Sequence, residues 1–201
     1  MFNFIIIGTS KSLSNDIYYT KERLKVWGTI FIAGAIENYW KSLDEFSNQA
    51  TRAFANSNNF DFYDIIPFIE KNDRFIPEKL SNLGKQITLK IHEEIRDRIL
   101  IQSKSLMFNG KQSFYYFSFF FNNESFEISE FRKHTRKIKL ILKELDENYG
   151  KLDENSVEKI FGLTLSNCFY ILPNTSGRIQ NNSFDEFIWI ESIMKSINKN
   201  I

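Results

Sequence analysis

The sequence predicts a mainly α fold: a multi-helix bundle of long antiparallel helices with a small β-hairpin insertion. Three observations predict it. Between Thr20 and Asn56, the residues Leu24, Trp27, Phe31, Ala35, Tyr39, Leu43, Phe46, Ala50 and Ala53 recur three or four apart, the stripe of an amphipathic helix. Val26, Ile30, Ala33, Ile36 and Trp40 widen that stripe, which suits a helix in the middle of a bundle. A second stripe, Leu80, Leu83, Ile87, Ile91, Ile95 and Ile99, follows Pro77, a residue that fits the first turn of a helix. Capping signals come third. Ser129 precedes a helix that Gly150 would stop, and Asn155 with Glu158 and Ser183 with Glu186 resemble capping boxes.

Composition bounds the rest. A chain of 201 residues reads as a single domain, 1–201, with enough length for a real core. Hydrophobic residues at 42% and charged residues at 25% are ordinary for a globular protein in water. The 21 Phe, with frequent Asn, Ile and Lys, read as the codon bias of an AT-rich genome. Net charge is +1, so no global field attracts nucleic acid and any basic surface is local. Cys168 is the only cysteine, which excludes an internal disulfide and a cysteine cluster. It is expected to pack inside an apolar helix. With two histidines and no H-E-x-x-H, no metal and no cofactor are expected. The start MFNFIIIGTS lacks the basic residues of a signal peptide, and no run reaches the roughly 20 apolar residues of a membrane span. A cytoplasmic protein without membrane contact is the expectation.

Taken in order, Phe2 to Gly8 reads as a strand or arm packed on the bundle. Gly8 followed by Thr9 and Ser10 could open a phosphate-binding turn, but no G-x-G-x-x-G or G-K-[ST] follows. A nucleotide site there ranks last. Asp61 to Glu70 reads as a short helical turn interrupted at Pro67. The second long helix is expected to reach about Ser105, with Glu94 and Arg98 paired four apart. Asn109-Gly110 is a turn signal. The aromatic run Phe114 to Phe121 is a β-hairpin on propensity, extending toward Ile128, with a buried helix as the alternative. Phe131, Ile138, Leu142, Leu145 and Tyr149 would bury the third helix. A fourth would run from Ser156 to Leu172 and end at Pro173. Phe187, Ile190, Met194 and Ile197 would line one side of the last.

Three features could carry chemistry. Glu37 breaks an apolar wall, so it must be paired, hydrogen-bonded or protonated. An ion pair with a neighbouring helix is the commoner outcome, and an acid–base role the sharper one. Arg132, Lys133, His134, Arg136, Lys137, Lys139 and Lys143 crowd seven basic residues or His into twelve positions. Such a patch can neutralise phosphates, and His134 can serve as an acid or base near neutral pH. A solvated helix face balanced by the acidic KELDEN accounts for it equally well. Last, the loop ILPNTSGRIQNN places Gly177 and Arg178 before a helix N-terminus, where anions are favoured.

FIAGAIENYWKSL and LSNCFYILPNTSGRIQNNSFDEFIWIESIMKSI resemble segments of the HEPN superfamily, helical domains of many prokaryotic ribonucleases in phage defence and toxin–antitoxin modules. The likeness covers the first long helix and about the last fifty residues. It implies a dimer in which Arg, a polar residue and His from each subunit cleave RNA without metal. Here Pro173 stands where the Arg would fall, Asn174 keeps the polar position and Arg178 stands at the His position. No Arg-x4–6-His spacing occurs in the chain, so the resemblance implies an inactive or divergent member. The expectation is a homodimer that binds RNA or a protein partner. Catalytic candidates are Glu37, Arg178 and His134; RNA-binding candidates are Arg132, Lys133, Arg136, Lys137 and Lys139. The competing expectation is a non-enzymatic antitoxin or inhibitor.

Overall fold

The computed structural model describes residues 1–10, 59–66, 84–145, 148–174 and 185–197. Its strands are β1 (Phe2–Ser10), β2 (Phe60–Ile66), β3 (Ser103–Asn109), the two-residue β4 (Gly150–Lys151) and β5 (Cys168–Leu172), of which β1, β2 and β5 are rich in aromatic and β-branched residues. They make one sheet in the order β2-β1-β3-β5-β4. β1 is parallel to both β2 and β3, β3 is parallel to β5, and β4 alone runs antiparallel at the edge. The fold is therefore α/β, and the mainly α bundle is overturned. Buried parallel strands read as continuous apolar runs because both faces are covered. FIII in β1 is such a run: Phe4, Ile5, Ile6 and Ile7 are all buried.

Among the described residues, four helices lie on one face. α1 (Gly84–Glu93) continues through a π-helical segment, Glu94–Ile99, into a last turn, Leu100–Gln102. α2 (Lys111–Asn122), α3 (Ile128–Glu144) and α4 (Glu154–Phe161) follow. Their core joins Ile5, Ile7, Leu106, Phe108, Phe169 and Ile171 of the sheet. The alternate residues Phe4, Ile6, Met107 and Tyr170 point to the other face. There α5 (Glu186–Ile197) packs on β1, β4 and β5, with Trp189 and Ile193 buried. The Trp189 indole N–H donates to the Pro173 carbonyl at 3.1 Å.

α2 is the hub. Its sequence SFYYFSFFF is apolar all round, and every residue from Ser113 to Phe121 is buried. Such a helix needs neighbours on every side. Phe114, Phe117 and Phe121 meet Phe161 of α4, and the first two also meet Phe108 of β3. Tyr116 stacks on Phe131 at 4.3 Å, and Phe119 meets Phe126 and Phe131 edge-on. The expected hairpin is thus replaced by the buried helix, because tertiary burial outweighs aromatic strand propensity.

Other boundaries shift for local reasons. The expected turn at Asp61 is β2, and the expected tail of the second helix is β3. The Ser103 hydroxyl bonds the Ile99 carbonyl at 2.9 Å where the chain leaves the helix. Four-residue spacing drifts about 40° per step on an α-helix. The wider π turn, closed by Leu100 N–H to Ile95 O, reverses that drift. Ile91, Ile95 and Ile99 stay buried while Ile87 is 38% exposed. Glu94 and Arg98 pair at 2.6 Å as expected.

α3 starts at Ile128, with Glu127 rather than Ser129 at the cap position. It ends before Gly150, which lies in β4; Phe131, Ile138 and Leu142 are buried, but Leu145 and Tyr149 are exposed. α4 is short: Asp153 caps it through the Asn155 amide, and Gly162 in the left-handed region ends it. Cys168 therefore opens a strand, half-buried, rather than sitting in a helix. In α5 the Asp185 carboxylate accepts from the Phe187 and Ile188 amides. That turns Trp189 and Ile193 inward and leaves Phe187 72% exposed. The expected first helix, Thr20 to Asn56, and the Ser183 cap lie outside the described residues. Among the described residues no helix is long and apolar enough to cross a membrane.

Candidate functional site at the carboxyl edge of the sheet

Strand order dictates where a crevice opens. From β1 the chain reaches β2 on one side, and from there it passes to β3 on the other. The strand order therefore reverses between β1 and β3. In open α/β sheets, ligands bind at such a point. Gly8, Thr9 and Ser10 end β1, and Gly8 is in register with Asp64 of β2. Asn109 ends β3, in register with Leu172.

The β3–α2 junction is built tightly. Gly110 adopts φ 89° and donates its N–H to the Leu172 and Phe108 carbonyls, each at 2.9 Å. A side chain there would be strained, and a Cβ would meet Asn174 Cβ at 3.0 Å. The Ser113 hydroxyl donates to the Gly110 carbonyl at 2.7 Å. α2 then starts at once, with Lys111 first, no acidic residue in its first turn and no side-chain cap. Its positive end is left without a counter-charge from its own sequence.

Two lysines reinforce that potential. Lys111 hydrogen-bonds the Asn148 side chain, and its ammonium lies 4.8 Å from the Tyr149 ring centroid. Lys139 of α3 stands 5.8 Å from the Tyr115 ring. Burial first, and then the charge of Lys139, lower the Lys111 pKa. Burial and then Tyr149 raise that of Tyr115. A bound anion would relieve the lysine repulsion.

The expected site residues are dispersed. Glu37 and Arg178 lie outside the described residues. Arg132, Lys133, Arg136, Lys137 and Lys139 are all exposed on α3, and Lys133 pairs with Glu130 at 2.7 Å. His134 faces inward. Its Nε2 lies 3.0 Å from the Ser118 hydroxyl and its ring meets Phe119 edge-on. Burial, and secondarily Lys137, depress its pKa to about 4. The pair has the atoms of a nucleophile and its base. However, Ser118 is fully buried and its hydroxyl reaches the Phe114 and Tyr115 carbonyls of its own helix. The contact holds α2 to α3. Among the described residues no cluster of His, Cys, Asp or Glu could hold a metal ion.

Sequence reasoning ranked Gly8 last, passed over Lys111, and named Asn174 only for the polar position of the HEPN resemblance. The signal, an apolar run followed by Gly-Thr-Ser, was read as a strand or arm, but without a glycine-rich phosphate motif it was not read as part of a site. The fold and this edge define an α/β protein with a mixed, mostly parallel central sheet. Comparison with known proteins adds no family to that class: no protein-family model and no curated protein matches the chain.

Proposed function

We propose that this protein binds a phosphate-bearing small molecule, of the nucleotide type, at the carboxyl ends of β1 and β3. The observation that carries the reading is the reversal of strand order between them. The α2 N-terminus, Lys111 and Lys139 supply positive potential for phosphate. Asp64, two residues before the end of β2 and in register with Gly8, offers a carboxylate to sugar hydroxyls. Differential scanning fluorimetry tests the proposal with ATP, ADP, NAD and inorganic phosphate. A ligand at a hundredfold its Kd adds about 2.7 kcal/mol of stability. One of these ligands should raise Tm, and Lys111→Gln should remove most of the rise. Unchanged melting with all four at millimolar concentration would sink the reading.

A second reading rests on the outer face of α3. Arg132, Arg136, Lys139 and Lys143 fall within roughly 60° of one another on the helix and are exposed. That strip suits the backbone of single-stranded RNA. Replacing Arg132, Arg136, Lys139 and Lys143 by Glu should abolish binding to labelled RNA. The log-affinity should fall with log salt by about 0.7 per phosphate contacted. Crosslinking to RNA that survives the four replacements would remove this reading.

A further inference from the structure

A cavity of about 750 Å³ opens at the opposite, amino edge of the sheet. The end of α1, the first residues of β3 and β5, the loop after α4, the end of α2, Met1 and Ser196 of α5 line it, and it is open to solvent on one side. The seven residues of β3 set it apart from the carboxyl edge, on the order of 20 Å away.

Its lining is divided in character. Arg96 and Lys104 contribute positive charge, and no Asp or Glu is among the lining residues. Leu100, Phe121 and Leu165 form an apolar wall. The Arg96 guanidinium lies 5.1 Å from the Phe121 ring centroid, a contact that orients its planar fork. Arg96 belongs to the π-helical segment, and such segments recur at functional sites. Asn167 and Ser103 brace the wall. Asn167 donates to the Leu100 and Ser103 carbonyls at 2.9 and 2.6 Å, so this rim is tied to the helix–strand junction. The volume lies within the range of small-molecule sites, which combine apolar walls with a few placed polar groups.

We propose that this cavity binds an organic acid, its carboxylate or phosphate head against Arg96 and Lys104 and its apolar body against Phe121, Leu100 and Leu165. A guanidinium fork donates to either head group bidentately. The half-buried Cys168 lines the same cavity and is the only cysteine in the chain, so it serves as a built-in reporter.

Decanoate and monodecyl phosphate are the probes, and the rate of Cys168 alkylation by iodoacetamide is the first readout. At least one probe should slow alkylation several-fold at saturation, and the comparison of the two identifies the preferred head group. Fluorescence of 8-anilinonaphthalene-1-sulfonate, displaced by the same probe, gives affinity. Arg96→Gln should weaken it by roughly tenfold, and Lys90→Gln on the exposed face of α1 should not. The alkylation arm uses the unaltered protein and stands whether or not the variant folds. Lys111→Gln should leave the protection intact, which separates this site from the carboxyl edge. Alkylation unchanged by both probes, or affinity unchanged in Arg96→Gln, would overturn the proposal.

Discussion

His134 shows how one buried side chain sets a pH dependence. Its folded pKa of about 4 lies below the ordinary 6.5. Between these values the unfolded chain binds a proton that the folded chain does not, so folding weakens as pH falls. The His134 contribution is full above about 6.5 and lost toward pH 4. Urea midpoints should drop across that window, and His134→Gln should flatten the drop. An unaltered slope in the variant would place the titration elsewhere. Phe117 is a second test at this scale. It meets Phe108 of the sheet and Phe161 of α4, and it is fully buried. Phe117→Ala should cost about 3–5 kcal/mol, read as a lower denaturation midpoint. Tyr63 ties β2 to α1: its hydroxyl donates to Glu94 at 3.3 Å, and burial, then the Glu94 charge, push its pKa up.

Among the elements, the junctions carry most of the specificity. Gly110 and Gly162 both have positive φ, but only Gly110 is also crowded, by Asn174. Gly162→Ala should therefore cost about 1 kcal/mol from backbone strain alone, and Gly110→Ala more. Equal losses in thermal melts would mean that the Asn174 contact contributes nothing. Helices α1 and α3 were legible in the sequence because each shows water on one side, which leaves a periodic stripe. The Glu94–Arg98 pair was legible for the same reason. α2 was not, because burial on every side erases periodicity and leaves only aromatic propensity, which favours a strand. Phe2 to Gly8 was legible as a strand or arm, but β3 and β5 suffered the same loss as α2. SKSLMF continues directly from a helical pattern, and CFYIL lies between Asn167 and Pro173 without alternation, so both were absorbed into neighbouring helices.

At the scale of the molecule, a sheet with its one antiparallel strand at the edge gives the chain two distinct ends. The carboxyl edge gathers Gly8, Asp64, Asn109, Lys111 and Asn174 from β1, β2, β3, α2 and the end of β5. That convergence was invisible in sequence, since these residues are up to 166 positions apart. The basic run was legible as composition, yet its histidine points inward. All of this depends on β1 lying between β2 and β3 in parallel register. Interstrand nuclear Overhauser effects in isotope-labelled protein measure that directly. Backbone contacts from Ile5 should reach both Asp61 and Leu106, with helical amide–amide contacts running through Lys111 to Asn122. Contacts from β1 to only one neighbour, or cross-strand contacts within Phe114 to Phe121, would contradict the account.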